Sequence, residues 1–325
     1  MTSGHRYSTT WEAGEAALLG NGVRMGLLAG AAIACILFLS LYNLDSYPLT
    51  WFDEGSHLHV PKTLVRFGVY ADYSSEGFRH YGPTLGVGPT VMLPIAAAFR
   101  LFGIGLLQAR LVMVLYLLAA IVAAYRLASL LGGRWLAVVA TALLVTSRGV
   151  ALVANGRQVL GEVPGLLFVL LGLWLWFGGW PNASWGRLLV AGLLLGLGTV
   201  TKSQYLLVVG PALVLAWLAN LLYYRQLPQR AFIVPGLACG LSYAAWQLLL
   251  VLYLGPATAA ENLAVLREAS GGAAFVFSPT CMANSLKILL SPSVYLGALV
   301  PAMLHGLARS LSRTEEGQRW GVVWL

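Results

Sequence analysis

The chain has 325 residues, of which 58% are hydrophobic and only 10% are charged, and its mean hydropathy is +0.76. A soluble domain cannot bury so much apolar surface behind so few charges, so the composition indicates an integral membrane protein. The net charge of +8 does not indicate a nucleic-acid-binding protein. Its basic residues stand singly between apolar runs, as residues that flank membrane helices do.

Eight apolar runs are suited to crossing a bilayer, which takes roughly 20 helical residues. We therefore expect an all-α polytopic membrane protein, with a cytoplasmic tail of residues 1–24 and one transmembrane domain of residues 25–325. Residues 320–325 resemble the start of a ninth span, which leads us to expect a C-terminally truncated chain. The eight runs lie near residues 25–44, 106–131, 135–153, 163–179, 188–200, 205–222, 231–254 and 291–308.

A further apolar run, residues 86–104, contains two prolines, several glycines and Arg100. Cytoplasmic loops collect Lys and Arg, and this rule decides whether the run spans. If it does not span, and the N-terminus is cytoplasmic, ten arginines lie inside, whereas eight of the twelve acidic residues and all three lysines lie outside. We therefore expect residues 89–103 to form an interfacial helix within a first outer loop of residues 45–105. The arginines placed inside are Arg6, Arg24, Arg126, Arg134, Arg187, Arg225, Arg230, Arg309, Arg313 and Arg319.

Two acidic residues, Asp53 and Glu54, follow the first span in the segment Tyr-Pro-Leu-Thr-Trp-Phe-Asp-Glu. The aromatic residues hold this segment close to the lipid interface. A partly desolvated carboxylate at such a position is suited to general-base catalysis near neutral pH. A solvated pair of loop acids is an equally good interpretation.

Two later outer segments carry charges at the ends of apolar runs. Glu162 begins an otherwise uncharged helix, where the helix dipole favours a carboxylate, and Arg157 lies just before it. An acid at the edge of a bilayer is a candidate functional residue, because it is costly there. Lys202 ends another run, where it either extends its ammonium group towards the interface or pairs with a phosphate at headgroup depth.

The first outer loop supplies further candidates for substrate binding. Lys62, Arg79, His80 and Tyr81 add cations and polar groups to the loop that holds the acids. The sequence leaves open whether a divalent metal is used, with Glu54 and His80 as candidate ligands. It indicates no other cofactor.

The order of these motifs resembles that of the GT-C superfamily of glycosyltransferases. The resemblance rests on the early Asp-Glu pair, the Tyr-Gly-Pro segment at 81–83, Gly-Arg-x-x-Leu-Gly-Glu-x-Pro at 156–164 and Thr-Lys at 201–202. It is strongest to the protein O-mannosyltransferase and aminoarabinose-transferase-like group, which includes the RgtA/B/C/D-like domain, and it covers roughly residues 25–225. It implies a GT-C-type transmembrane helix bundle whose large first outer loop carries interfacial helices.

The resemblance also implies a function: inverting transfer of a sugar from a polyprenyl-phosphate donor to a lipid, glycan or protein acceptor. Asp53 then matches the catalytic acid that deprotonates the acceptor, Glu54 and Glu162 match further acids, and Lys202 matches the residue that holds the lipid phosphate. The implied location is the plasma (inner) membrane, with the site on the periplasmic or extracellular face. The alternatives are a transporter or flippase of lipid-linked sugars without transferase activity, and a non-catalytic subunit of a membrane assembly.

Overall fold

The computed structural model describes residues 26–75, 77–79, 86–147, 150–269, 283 and 306–324. The chain divides into two compact units, Met1–Leu44 and Asp45–Leu325. In the first unit the apolar run forms helix α1 (Gly26–Leu41). All other described elements belong to the second unit. The division into a cytoplasmic tail and a single transmembrane domain stays a prediction.

The described part of residues 45–105, the predicted first outer loop and called the outer loop below, forms two helices and a short hairpin. Helix α2 (Phe52–Phe67) ends at Gly68, whose φ of 71° is a left-handed conformation that favours glycine. Strands β1 (Asp72–Ser74) and β2 (Gly77–Arg79) pair antiparallel. Helix α3 (Pro89–Phe102) has 14 residues and is about 21 Å long, short of a hydrocarbon core of roughly 30 Å. That the run at 86–104 does not span stays a prediction.

The remaining described elements of the second unit are helical, and among the described residues three stretches are long and apolar enough to cross a membrane. These are the whole of α4, residues Ser203–Tyr224, and α9. The elements are α4 (Leu106–Thr146), α5 (Leu152–Asn155), α6 (Glu162–Gly178), α7 (Trp185–Thr201), a 3-10 turn (Ser203–Tyr205), α8 (Leu206–Ala219), a π-helical turn (Asn220–Tyr224), α9 (Arg230–Leu254), α10 (Pro256–Ala269) and α11 (Glu315–Trp324).

Two helix bounds differ clearly from the predicted runs. The range of α4 contains two helices, one for each of the runs at 106–131 and 135–153, which meet at Gly132 and Gly133 with non-helical backbone angles; the second helix ends at Thr146 and not near 153. Glycine tolerates such angles, and the two glycines lie between the end of one predicted run at 131 and the start of the next at 135. Helix α11 begins at Glu315, ahead of the predicted start at 320. The run at 291–308 lies outside the described residues, except for 306–308, which are helical.

Helices α6, α7 and α9 pack closely because small residues lie between them. A Cβ atom on Gly192 of α7 would lie 2.5 Å from the carbonyl oxygen of Pro235 in α9, so only glycine allows this approach. Next to this contact the rings of Trp176 and Phe232 meet edge to face at 5.6 Å. This packing forms the larger apolar core of the second unit.

A smaller apolar core joins the first outer loop to the helices that follow it. Val60 of α2, Val91 and Ile95 of α3, Met113 of α4 and Val159 are all fully buried in it. Both loop helices are therefore held against the beginning of α4 and the turn before α6. This core sets the position of the acidic segment at 53–54.

Candidate active site

Glu54 lies in the first turn of α2 and forms a buried ion pair with Arg110 of α4. The guanidinium group donates from Nε to Oε1 at 2.9 Å and from one Nη to Oε2 at 2.6 Å. The backbone N–H of Val159 donates to Oε1 at 3.1 Å. Both side chains are 0% exposed. Because both carboxylate oxygens are occupied, this geometry favours a structural role for Glu54 over a role as general base or metal ligand.

Arg110 also fixes the chain that leads into α2. It donates to the carbonyl oxygen of Pro48 at 2.7 Å, and Gln158 donates to the carbonyl of Leu49 at 3.1 Å. Arg110 was not among the predicted site residues, although an arginine one turn inside an apolar run is a usable signal, since a charge there needs a partner. The pair therefore ties together the outer loop, α4 and the turn before α6.

Asp53 differs from its neighbour in both exposure and partners. Its side chain is half-buried, and among the described residues it has no hydrogen bond or ion pair. It lies in the first turn of α2, where the helix dipole favours the carboxylate. Asp53 is thus an accessible anion on a backbone that Glu54 holds in place.

His57 lies one turn after Asp53 and is buried. Its Nδ1 donates to the carbonyl oxygen of Val159 at 2.7 Å. Burial lowers the pKa of His57, and so does the charge of Lys202, whereas the hydrogen bond to Val159 and the charges of Asp53 and Glu162 act in the opposite direction. Asp53, Glu162 and Lys202 therefore all lie within electrostatic range of one ring.

Glu162 and Lys202 form an ion pair of 2.9 Å, in which the lysine side chain is 13% exposed and the glutamate 49%. Glu162 begins α6 and Lys202 directly follows α7, as predicted. The outer loop contacts the end of α7, because the N–H of Gly88 donates to the carbonyl oxygen of Thr201 at 2.8 Å. Val87 and Lys202 also form an antiparallel bridge. The lysine is therefore held beside the first outer loop.

Arg157 is the second cation near the acids. It is buried, and its guanidinium group lies 5.4 Å from the centre of the Tyr47 ring. Burial lowers the pKa of Arg157, and the positive charge of Arg110 lowers it further. Because Glu54 already balances the charge of Arg110, the positive charge of Arg157 is the one that favours a further anion at this place.

Two other predicted binding residues, Lys62 and Arg79, do not join this cluster. Lys62 comes nine residues after Asp53 on α2, which places it on the opposite side of the helix. It lines a separate groove of about 260 Å³ with Phe99 and other residues. Arg79 pairs with Asp72 across the hairpin at 2.6 Å and is more than half exposed. The remaining two, His80 and Tyr81, lie outside the described residues.

A metal site was left open by the sequence. Among the residues that the structure describes, no group of three His, Cys, Asp or Glu side chains is arranged to hold a metal ion. His80, one of the two candidate ligands, lies outside this part of the chain, so metal binding by Glu54 and His80 stays a prediction from the sequence.

The fold defines a polytopic membrane protein of the GT-C class. It is similar to ArnT from Cupriavidus metallidurans bound to undecaprenyl phosphate, with a TM-score of 0.64, 18% identity and coverage of 91% of this chain and 53% of that one. It is also similar to the Archaeoglobus fulgidus oligosaccharyltransferase in complex with Zn and sulfate, with a TM-score of 0.57, 16% identity and coverage of 90% and 45%. AglB from the same organism, in complex with an inhibitory peptide and a dolichol-phosphate, gives 0.50, 15%, 88% and 39%.

The sequence model of the dolichyl-phosphate-mannose-protein mannosyltransferase family matches residues 87–249, half of the chain, and the chain belongs to this family. The matched range contains Arg110, Glu162 and Lys202, whereas Asp53 and Glu54 precede it. No curated protein gives a significant match. The chain spans about half the length of the solved structures it resembles, or less.

Proposed function

We propose that the protein transfers a sugar from a polyprenyl-phosphate donor to an acceptor hydroxyl, with Asp53 as general base. The observation that carries this proposal is the position of Asp53. Its half-buried carboxylate has no hydrogen bond or ion pair among the described residues, and it lies one turn before His57, whose ring is also within electrostatic range of Glu162 and Lys202. Family membership supports the transferase class. The undecaprenyl phosphate bound to ArnT and the dolichol-phosphate bound to AglB support the donor class.

The proposed reaction is an in-line displacement at the anomeric carbon. The acceptor oxygen forms a bond to this carbon, and its proton passes to the carboxylate of Asp53. The bond between the anomeric carbon and the phosphate oxygen breaks, and the phosphate leaves with the electron pair. Attack from the face opposite the phosphate inverts the configuration. Each charge that develops then has a group of opposite charge beside it.

Lys202 is the proposed partner of the departing phosphate, and Arg157 adds positive charge. In the structure the Lys202 ammonium group is mostly buried and pairs with Glu162. A phosphate offers it a stronger, doubly charged partner, while the half-exposed Glu162 has solvent available when the ammonium group turns away. Glu162 therefore holds the lysine in position until the donor binds.

The proposed site lies on the outer face of the plasma (inner) membrane, with a cytoplasmic N-terminus. The distribution of Lys and Arg supports this orientation. The acceptor class, whether lipid, glycan or protein, is left to experiment.

Substitution of Asp53 by asparagine tests the proposal. Asn keeps the shape of the side chain and removes its basicity, so the rate of sugar transfer from a labelled polyprenyl-phosphate donor should fall by about 10²- to 10⁴-fold. Asp45→Asn is the matched control, because Asp45 is an exposed acid in the same loop. Transfer at the wild-type rate by Asp53→Asn would refute the role of Asp53. Movement of labelled lipid across vesicles, without any glycosylated product, would instead favour the flippase alternative.

A further inference from the structure

The backbone of Val159 is held by two side chains of α2. Its N–H donates to Glu54 at 3.1 Å, and its carbonyl oxygen accepts from Nδ1 of His57 at 2.7 Å. Residues 54 and 57 are three apart and therefore lie on the same face of α2. Both polar groups of one buried residue thus bind to the helix that carries Asp53.

The hydrogen bond to the carbonyl decides the state of the His57 ring. A carbonyl oxygen only accepts, so Nδ1 carries the hydrogen atom, and the neutral ring has its lone pair on Nε2. His57 is 3% exposed and Val159 is fully buried. Water does not easily replace this bond, so loss of the Nδ1 donor leaves a buried carbonyl oxygen unsatisfied.

The held residue lies just before the proposed site. Val159 is three residues from Glu162, with which α6 begins and which pairs with Lys202. The turn at 157–161 is therefore the covalent connection between the residue that α2 holds and one of the acids of the site. A shift of this turn moves Glu162 relative to Asp53.

We propose that His57 is a positioning residue: by holding the Val159 carbonyl it sets the location of Glu162 relative to Asp53. This inference rests on the proposed function. His57 itself need not contact either substrate. A displacement of reacting groups by about 1 Å lowers reaction rates by as much as about 10²-fold, so we expect substitution of His57 to lower kcat. Donor affinity should change less than kcat, because the backbone of Lys202 is also held by α7 and by the Val87 bridge.

Three substitutions of His57 separate the two ring nitrogens. In His57→Asn the amide nitrogen occupies the place of Nδ1 and can donate to Val159, whereas in His57→Gln it occupies the place of Nε2. His57→Leu offers no donor. We expect His57→Asn to keep kcat within about threefold of wild type, and His57→Leu and His57→Gln to lose about 10- to 100-fold. The KM for the polyprenyl-phosphate donor should stay within about threefold in all three.

Hydrogen–deuterium exchange of the same purified variants reports the position of the turn without any activity assay. The backbone of 157–161 should exchange faster in His57→Leu than in wild type, and at the wild-type rate in His57→Asn. A residue that merely fills the core would give similar kcat values per folded molecule in all three variants, and this result would overturn the inference. Unchanged exchange in His57→Leu would overturn it as well.

A second substitution tests whether the effect passes through the turn. Gln158 holds the same segment through its bond to the Leu49 carbonyl. If both residues act by positioning this segment, the effects of His57→Leu and Gln158→Met on kcat should not add in the double variant. Additive effects would contradict a shared action. A wild-type protein that transfers no sugar, but whose turn responds to His57→Leu, would refute the proposed function and leave the structural contact intact.

Discussion

Replacement of Arg110 by methionine removes the charge that Glu54 depends on. The substitution deletes two hydrogen bonds to Glu54 and one to the Pro48 carbonyl, and leaves a fully buried carboxylate without its counter-charge. Loss of one partner of a buried ion pair costs about 3–5 kcal/mol. Total folding stabilities are about 5–15 kcal/mol, so we expect Arg110→Met to lower the free energy of unfolding by a large part of its value.

The reciprocal substitution and the double variant give the coupling between the two residues. Glu54→Gln keeps an acceptor for the Val159 N–H but leaves Arg110 without a negative partner, so it should also cost about 3–5 kcal/mol. The double variant buries no charge at this place. We expect it to cost no more than about 5 kcal/mol, whereas independent effects would sum to about 6–10 kcal/mol.

The assay is denaturant-induced unfolding of the purified variants in detergent micelles, followed by circular dichroism. Arg309→Met is a matched control, because Arg309 pairs with Glu316 at 2.8 Å but both side chains are more than half exposed. Exposed ion pairs contribute little, so this control should unfold nearly as the wild type does. Additive losses in the double variant, or an Arg110→Met variant as stable as Arg309→Met, would refute the reasoning.

Two further predictions concern the phosphate side of the site. Gly88→Ala places a Cβ atom 1.9 Å from a carbonyl oxygen of α7 and forces the outer loop away from Lys202, so the rate of sugar transfer should fall by about tenfold or more. The control is Gly86→Ala, whose Cβ atom would meet nothing within 4 Å, and this variant should transfer sugar at the wild-type rate. Lys202→Gln should raise the donor KM by about tenfold or more, measured from initial rates, because bonds to charged groups contribute about 1.5–3 kcal/mol. Arg66→Gln, an exposed cation at the far end of α2, is its control, and an equal rise in both would contradict the assignment.

Several apolar helices, and the charged residues at two of their ends, could be predicted from the sequence. An apolar run that begins or ends at a single charge carries both signals locally, which is why the positions of Glu162 and Lys202 at helix ends are confirmed. The all-α polytopic fold is confirmed for the same reason. The break inside α4 lies at two adjacent glycines, between the runs predicted at 106–131 and 135–153.

The pairings inside the site were not accessible in this way. Glu54 and Arg110 are 56 residues apart, and no local pattern states which helix faces meet. Lys62 was grouped with Asp53 because both belong to one loop. The helical period of α2 separates them, and this could have been applied once a helix was expected there.

The two adjacent acids of α2 are not interchangeable. Each residue turns a helix by about 100°, so Glu54 points into the core and Asp53 remains half-exposed. An aspartate in place of Glu54 would be shorter by one methylene, about 1.5 Å, and would withdraw from the Arg110 guanidinium and the Val159 amide. The order of the pair therefore has a physical meaning: the longer acid reaches an internal cation, and the shorter acid keeps its charge available at the surface.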